Sequence, residues 1–578
     1  MTLLEVVPGV WRHTSTAHTY VLRAGGDAAL LVNVGDGSVL DELPQVGLRA
    51  VAAVLTHSHA DVAGGAARVS ALGVPVYAPD SERPLLDRPQ DVLAAWAGDN
   101  TYDGRPLHLG VPEAVRTLPL RDYRPLTFGD VRLTPRPAPG PSPGHSTLLC
   151  DVGGARIAFT GALLSGAGQV PRLSATMWSY NGGEGLAGSV LSLLDLHAQE
   201  PDVLLGAFGP PLERGALETT AQALLDLIRL RRHNPRLLEL RARPYEELRP
   251  WLLLNRTSVA QSYVIRSAGG RAVLIDFGYD FSFGVAPTTG RDARRPWLYT
   301  LSTLFADSGV RQIDAVIPTH AHDDHVAGIG LLRDVQGAGL WAPEPLADVL
   351  ARPTAYRLPC RWFEPLPPDR VLALEQPAFW EEFRITPYAL PGHARHAVAV
   401  LVEGHGERVL FTGDQYADAD GLGLNYTYQN DVLEGDYVAG AALIARLRPS
   451  LLLSGHWPPV VPDDAWLAQA TERGEALRRA HADHQPHTSR IGLTTCTVGG
   501  TLEIAIANPA AMDFHGELAV GGHGPQPITV PAGSEVRAGF PLSGLVQTIP
   551  IVLRGPPGEP PVMTYAVPAP SGPSTSVP

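Results

Sequence analysis

Lysine is absent from this 578-residue chain: all 45 basic residues are arginine. That absence excludes Schiff-base chemistry and lysine-anchored phosphate sites, so an anion clamp would have to use arginine, histidine, tyrosine or backbone amides. In a chain with 60 glycines and 54 prolines, the missing lysine reads as a compositional bias, not a functional device. Cysteine is scarce as well. Cys150, Cys360 and Cys496 are odd in number and far apart, so they form neither a disulfide framework nor a CxxC pair, and they fit a reducing cytoplasm. No run of about 18 apolar residues free of charge and proline occurs, so no membrane-spanning helix is expected. The opening residues Met1-Thr2-Leu3-Leu4-Glu5 lack the basic and apolar regions of a secretory signal, and a cytoplasmic location is expected. A net charge of −14 disfavours nucleic-acid partners. The length implies several domains, and a hydrophobic content of 44% is enough to give each a core.

What is present is a dense set of metal ligands. Thr319-His320-Ala321-His322-Asp323-Asp324-His325 follows the apolar run Ala315-Val316-Ile317. Two histidines two residues apart can point the same way from a strand end, and an Asp and a third His follow at once. Such a cluster reads first as a metal site and only then as a polar turn. Downstream lie Pro391-Gly392-His393, Phe411-Thr412-Gly413-Asp414 and Ser454-Gly455-His456, each placing one ligand-type residue beside glycine. The last two follow strand-like runs, Val409-Leu410-Phe411 and Leu451-Leu452-Leu453. Imidazole and carboxylate suit zinc, and also iron or manganese; no thiolate is offered.

In this order the motifs resemble those of the metallo-β-lactamase superfamily, and Leu274-Ile275-Asp276-Phe277-Gly278 resembles its early strand-turn. The resemblance implies that His320, His322 and His393 hold one divalent cation, that Asp324, His325 and His456 hold a second, and that Asp414 bridges them. It implies two metal ions, zinc first, that acidify a shared water and polarise a carbonyl or phosphoryl oxygen, with Asp324 relaying a proton. Members that hydrolyse β-lactams often carry Cys where this chain has Asp414. The Asp points instead to the glyoxalase-II-like, lactonase-like and phosphodiesterase-like branches.

The same pattern occurs twice, with a period of about 250 residues. Gly25–Gly35 matches Gly269–Gly278, and Ala53–Asp61 matches Ala315–Asp324 with Pro318 as an extra residue. Pro143-Gly144-His145 matches Pro391-Gly392-His393, and Phe159-Thr160-Gly161-Ala162 matches Phe411-Thr412-Gly413-Asp414. Pro201–Pro211 matches Pro449–Pro459. Ala162 thus stands for the bridging Asp, Phe208 for the last His and Asn33 for Asp276, while the third His of the first motif finds no counterpart. The first half reads as a catalytically dead copy that keeps the fold. It retains His57, His59, Asp61 and His145, a set able to hold one metal. The favoured reading is leftover polar residues in a vacated pocket, since the loss of the bridging carboxylate removes much of the charge that holds a divalent cation.

The expected architecture is α/β: two αββα sandwich domains of metallo-β-lactamase type followed by a small all-β sandwich. The boundaries expected are 1–211 for the degenerate copy, 212–249 for a helical connector and 250–486 for the metal-binding copy. A β-sandwich over 487–567 and a disordered Pro/Ser-rich tail over 568–578 complete the chain. Leu217 to Leu240 carries helical spacing, and Asp463 to His484 reads as a helix capped by Asp463 or Asp464. After it, Leu502, Ile504 and Ile506 alternate with Glu503 and Ala505, and short runs split by Gly/Pro turns follow. His515 and His523 read as solvated loop residues. A fused repeat can supply within one chain the packing that relatives obtain by dimerising, so an intrachain pseudo-dimer is expected.

Substrate contacts are expected from Arg395 and His396 beside His393, from Tyr416 near Asp414, and from Asn425, Tyr426 and Tyr428 in the loop after it. The corresponding first-copy stretch is Met177-Trp178-Ser179-Tyr180-Asn181. The leading expectation is a dinuclear metal-dependent hydrolase acting on an ester, thioester or lactone of a small molecule. Two alternatives are a redox member of the same superfamily, such as an iron-dependent sulfur dioxygenase, and a binding or scaffold protein with both halves inactive. The complete ligand set of the second half weighs against both.

Overall fold

The computed structural model describes residues 3–90, 110–176, 178, 185–231, 236–280, 295–356, 358, 360–418, 421–426, 433–484, 487–498, 500–542, 549–557 and 561–566. The chain divides into two compact units, one of Met1–Pro244 with Tyr279–Thr303 and the other of Tyr245–Gly278 with Leu304–Pro578.

In the first unit, strands Leu4–Val7, Val10–Thr14, His18–Arg23 and Ala28–Val32 run antiparallel; Arg49–Val54, Val76–Pro79 and Leu118–Leu120 continue the sheet in parallel. Alternate residues of a strand face opposite sides. Ala52 and Val54 therefore pack with Leu133, Leu148 and Phe159 of a second sheet. Ala53 and Leu55 pack with Val39, Ala66 and Val69 from helices on the other side. Burial on both faces explains why this segment reads as an unbroken apolar run. The second sheet has the order Val203–Gly206, Ala155–Gly161, Ser146–Val152, Val131–Pro137, Leu126–Phe128. Helices Gly185–His197 and Gly215–Arg231 cover its far face, through Val190, Leu193, Leu217 and Leu224 against Leu149, Ala158 and Leu204. The layers are thus αββα.

Two segments serve this unit in ways the sequence did not suggest. The stretch expected as a connector forms helices Gly215–Arg231 and Arg236–Ala242, and Ile228 and Leu237 bury into the first unit's own core. Its helical spacing marks a core-covering face, not a tether. Tyr279–Thr303, which the repeat assigns to the second copy, also belongs here: Trp297 and Tyr299 join the same cluster. Arg295, 7% exposed, donates to both carboxylate oxygens of Asp122 (2.9 and 2.6 Å) and to the carbonyls of His145 (2.7 Å) and Pro143 (3.2 Å).

The second unit repeats the topology strand for strand. Its seven-stranded sheet runs Tyr245–Arg249, Leu252–Asn255, Ser262–Arg266, Arg271–Ile275, Gln312–Ile317, Gly339–Pro343, Arg370–Leu372, and its five-stranded sheet Ala378–Trp380, Phe383–Ala389, Val398–Gly404, Glu407–Phe411, Leu451–Leu453. Helices Asp436–Leu447 and Asp464–His484 cover the latter through Ile444, Leu447 and Trp466. Asp463 caps the second of these, its carboxylate accepting the Trp466 N–H at 2.8 Å. Val32 pairs with Val54 and Ile275 with Ile317. Leu55 therefore stands where Pro318 does, and Pro318 is a replacement, not the insertion expected from the sequence.

The C-terminal strands form two sheets. Gly492–Val498, Thr501–Ala507 and Glu535–Pro541 make one, and His523–Val530, Phe514–Val520, Ile549–Arg554 and Val562–Ala566 the other. Leu502, Ile504 and Ile506 meet Phe514, Leu518 and Ile551 in a shared core, so the alternation is that of a sandwich. His515 and His523 are exposed, as expected, but they lie in strands, not loops. The expected tail at 568–578 falls outside the described residues. Among the described residues no helix is long and apolar enough to cross a membrane.

Candidate metal centre

The centre is built on two adjacent parallel strand ends. Arg271–Ile275 ends at Asp276, which takes a left-handed backbone (φ 58°) that Asp tolerates better than most residues. From there its carboxylate accepts the Thr319 N–H (2.7 Å), the Thr319 hydroxyl (2.8 Å) and the His325 Nδ1–H (2.8 Å). One carboxylate thus fixes both ends of the His320–His325 loop and directs His325 Nε2 inward. His322 forms the extended N-cap of the short helix Asp323–Val326, which carries Asp324 and His325. Glycine is needed at two contact points. A Cβ on Gly413 (φ 53°) would meet Thr319 and His320, and one on Gly455 would collide with Asp414 Oδ1 and the His325 ring.

All seven expected ligands converge. His320, His322, His393 and Asp414 form one group, and Asp324, His325, Asp414 and His456 a second; within each, the ligand atoms lie within 4.8 Å of one another. His322 Nδ1 stands 3.1 Å from His320 Nε2 and 3.2 Å from His393 Nε2. Asp414 Oδ2 is 3.6 Å from His393 Nε2 and 3.1 Å from His456 Nε2, while Oδ1 faces His325 Nε2 at 3.2 Å. Tetrahedral zinc with bonds of 2.0–2.1 Å separates its ligand atoms by about 3.3 Å, so these spacings suit a cation. His325 Nε2 and Asp414 Oδ1 are buried and face each other at 3.2 Å without the alignment of a hydrogen bond. Buried polar atoms are rarely left so, and a metal ion resolves both at once. The ligands are themselves oriented: the His393 N–H donates to Gln415 Oε1 (2.9 Å) and its Nδ1 to the Asn425 carbonyl (3.0 Å).

Titration behaviour divides the ligands. Burial and the neighbouring imidazoles hold His320 far below its usual value, and burial with His393 brings His322 down to about 4, so both offer lone pairs at neutral pH. His325 goes the other way. Burial opposes its protonation, but the carboxylates of Asp414, Asp276 and Asp324 win and raise it well above the usual range. His456, against its burial, is raised to about 9 by hydrogen bonds to Asp324 and Asp414. Asp414 stays ionised despite burial because His325 and His456 face it. Metal binding at pH 7 must therefore displace protons from His325 and His456. About two protons should be released per chain as the metal-free protein is loaded, measurable by calorimetry in buffers of different ionisation enthalpy. Above pH 9 the His456 share should vanish; loading at pH 7 without proton release would contradict this ligand set.

The expected substrate residues separate. Arg395 and His396 line a depression beside His320 and His322, together with Leu358. Arg395 donates to Glu535 of the C-terminal sandwich (3.0 Å), so its charge is already engaged. Burial and Arg395 lower His396 to about 4, which leaves it neutral. Tyr416 is 1% exposed and packs edge-on to Tyr437 (6.0 Å) and Trp466 (5.3 Å), a core position that corrects its expected place at the pocket. Asn425 acts through its backbone on His393, and the Tyr426 hydroxyl meets His481 Nε2 at 2.5 Å. Tyr428 lies outside the described residues, as do Met177, Ser179, Tyr180 and Asn181 of the first copy.

In the first unit the second metal group has become apolar. His59 occupies the N-cap position of the helix Ala60–Ala63 as His322 does that of Asp323–Val326, and the Val62 carbonyl accepts the Val34 N–H as the His325 carbonyl accepts that of Phe277. Val62 is therefore the counterpart of His325, which corrects the reading that this histidine had none; the missing residue falls later, between Gly65 and Val76. Val62 packs with Ala17, Ala207 and Phe208 in one cluster. His145 is also diverted, its Nε2 accepting the Ala162 N–H at 3.2 Å. Asp276 was not anticipated as an orienting residue. Its signal was the Asp276/Asn33 difference, which accompanies the loss of the histidine that the second carboxylate oxygen holds.

The chain belongs to the metallo-beta-lactamase superfamily, whose profile matches residues 15–231 and again 256–456. Solved structures with the fold include BJP-1, a subclass B3 metallo-beta-lactamase of Bradyrhizobium japonicum (19% identity, 40% of this chain and 93% of that one, TM-score 0.30). A metallo-beta-lactamase family protein from Thermus thermophilus is similar at 20% identity over 39% of this chain and 82% of that one, with a TM-score of 0.33. No curated protein matches the chain.

Proposed function

We propose that the second unit is a dinuclear metal-dependent hydrolase acting on an ester, thioester or lactone of a small molecule, and that the first is a non-catalytic copy. The observation that carries this reading is the sharing of Asp414 by two ligand groups, with buried atoms of Asp414 and His325 that face each other without a hydrogen bond. Imidazole with carboxylate fits zinc, and iron or manganese next. Two divalent cations, when bound, supply an acidified water and a Lewis acid for the substrate oxygen. Asp324 contributes a carboxylate kept below its usual range against burial by His325 and His456, 3.2 Å from the His456 ring nitrogen, where it can take up a proton and pass it to the leaving group. The wall beside His320 favours a neutral acyl substrate over a phosphate: Leu358 is apolar, His396 is neutral, and Arg395 is neutralised by Glu535.

The test is metal analysis of the full chain with a panel of thioesters, lactones, esters and phosphodiesters. Hydrolysis within the acyl group, lost on chelation and restored by zinc, is expected. Turnover of phosphodiesters alone would overturn the substrate class, and a fully loaded protein that hydrolyses nothing would favour the non-catalytic alternative. The pseudo-dimer reading of the two halves rests on the repeat of topology and on Tyr279–Thr303 serving the first unit.

A further inference from the structure

We propose that the first unit also binds one divalent cation, on His57, His59 and Asp61, at a site distinct in composition from either group of the second unit. The ligand atoms of these three side chains lie within 4.8 Å of one another. His57 is fully buried, its Nδ1 is engaged by the Thr56 hydroxyl at 3.0 Å, and its Nε2 has no hydrogen-bond partner. Asp61 Oδ1 is likewise buried without one. The other Asp61 oxygen faces Arg172 at 3.5 Å, which steadies the carboxylate and leaves Oδ1 for a ligand. Two unsatisfied lone-pair atoms, an imidazole nitrogen and a carboxylate oxygen, in one cluster are what a cation resolves and a vacated pocket does not.

This set differs from the one the repeat suggests. His145, the counterpart of His393, is occupied by the Ala162 N–H. Asp61, the counterpart of Asp324, takes its place beside the two histidines, because the histidines and the bridging carboxylate that surround Asp324 in the second unit are here Val62, Phe208 and Ala162. Two imidazoles and one carboxylate with no thiolate suit Fe(II) or Zn(II), and leave coordination positions open. His59 and Asp61 line a cavity of about 230 Å³, against about 20 Å³ beside His320 and His322, so a small ligand has room to reach the cation. Ala162, Phe208 and Pro171 give that cavity an apolar side and Arg172 a cationic one.

The experiment is metal stoichiometry of the full chain, independent of turnover. Apo protein is loaded with Zn(II) or, anaerobically, Fe(II), dialysed and analysed by mass spectrometry, and a Co(II) titration follows the d–d bands. Three equivalents are expected in the wild type, and two in Asp61→Asn and in His57→Ala, with hydrolysis unchanged in both variants. The conservative Asp61→Asn guards against a folding defect, monitored by thermal melting. In an Asp414→Ala background one tight Co(II) equivalent should persist and disappear on adding Asp61→Asn, whether or not the second unit is a hydrolase. Two equivalents in the wild type, or three in Asp61→Asn, would overturn the site.

Discussion

Asp414→Ala is expected to abolish both hydrolysis and tight metal binding in the second unit while leaving its fold intact. The two oxygens of this side chain face ligands of both groups, Oδ2 at 3.6 Å from His393 and Oδ1 at 3.2 Å from His325. Removing it takes away the one anion common to both groups and leaves His325 and His456 with less negative charge to hold. The loss in activity should exceed the roughly 10–100-fold typical of changes in residues that only orient ligands. Metal content, turnover and circular dichroism on one preparation check the claim. Full turnover with retained metal would remove the basis of the proposed chemistry. The fold should survive because the first unit already carries Ala162 at the equivalent place on the same topology.

The second large effect concerns stability. Arg295→Ala should destabilise the first unit by about 3–5 kcal/mol, the usual result of removing one partner of a buried pair. Arg295 is 7% exposed and Asp122 16%. Their paired hydrogen bonds, and those to the Pro143 and His145 carbonyls, fix the loop that presents His145. Denaturant unfolding should show the transition of the first unit moving to lower concentration. Replacing Asp122 and Arg295 together by Leu and Met should recover much of the loss, since it leaves no buried charge unpaired. A cost below about 1 kcal/mol for Arg295→Ala would mean that the pair behaves like one on the surface. The same contact predicts that a fragment starting at residue 250 exposes Trp297 and Tyr299, which otherwise sit in the first unit's core.

The ligands were legible because metal chemistry restricts residue type and the strands restrict spacing. Seven side chains from four separated motifs were named through the resemblance to the superfamily, and the fold brings them into two groups. The repeat was legible for a related reason: parallel strands buried on both faces leave apolar runs, and Arg49–Val54 and Gln312–Ile317 both show one. What stayed hidden depends on contacts distant in sequence. That Tyr416 is a core residue follows from Tyr437 and Trp466, and neither lies next to it in the chain. That Arg395 is committed to Glu535 depends on a sandwich 140 positions away. The equivalence of Val62 and His325 was missed because a deletion can be placed anywhere in a short helical segment; the matching N-cap positions of His59 and His322 decide it.

Gly455 and its counterpart Ala207 bear on how reversible the divergence of the two halves is. In the second half the absence of a Cβ at Gly455 makes room for Asp414 and His325. In the first half Ala207 has a methyl group there, packed against Val62 and Phe208. Restoring Asp at position 162 alone would press a charged group against that methyl, and restoring His at 62 would bury an imidazole among apolar neighbours. Each back-mutation is unfavourable until the others are made, so the decay of this half works as a ratchet. Reviving it by laboratory evolution would require positions 62, 162, 207 and 208 to be changed in a single library, not one after another.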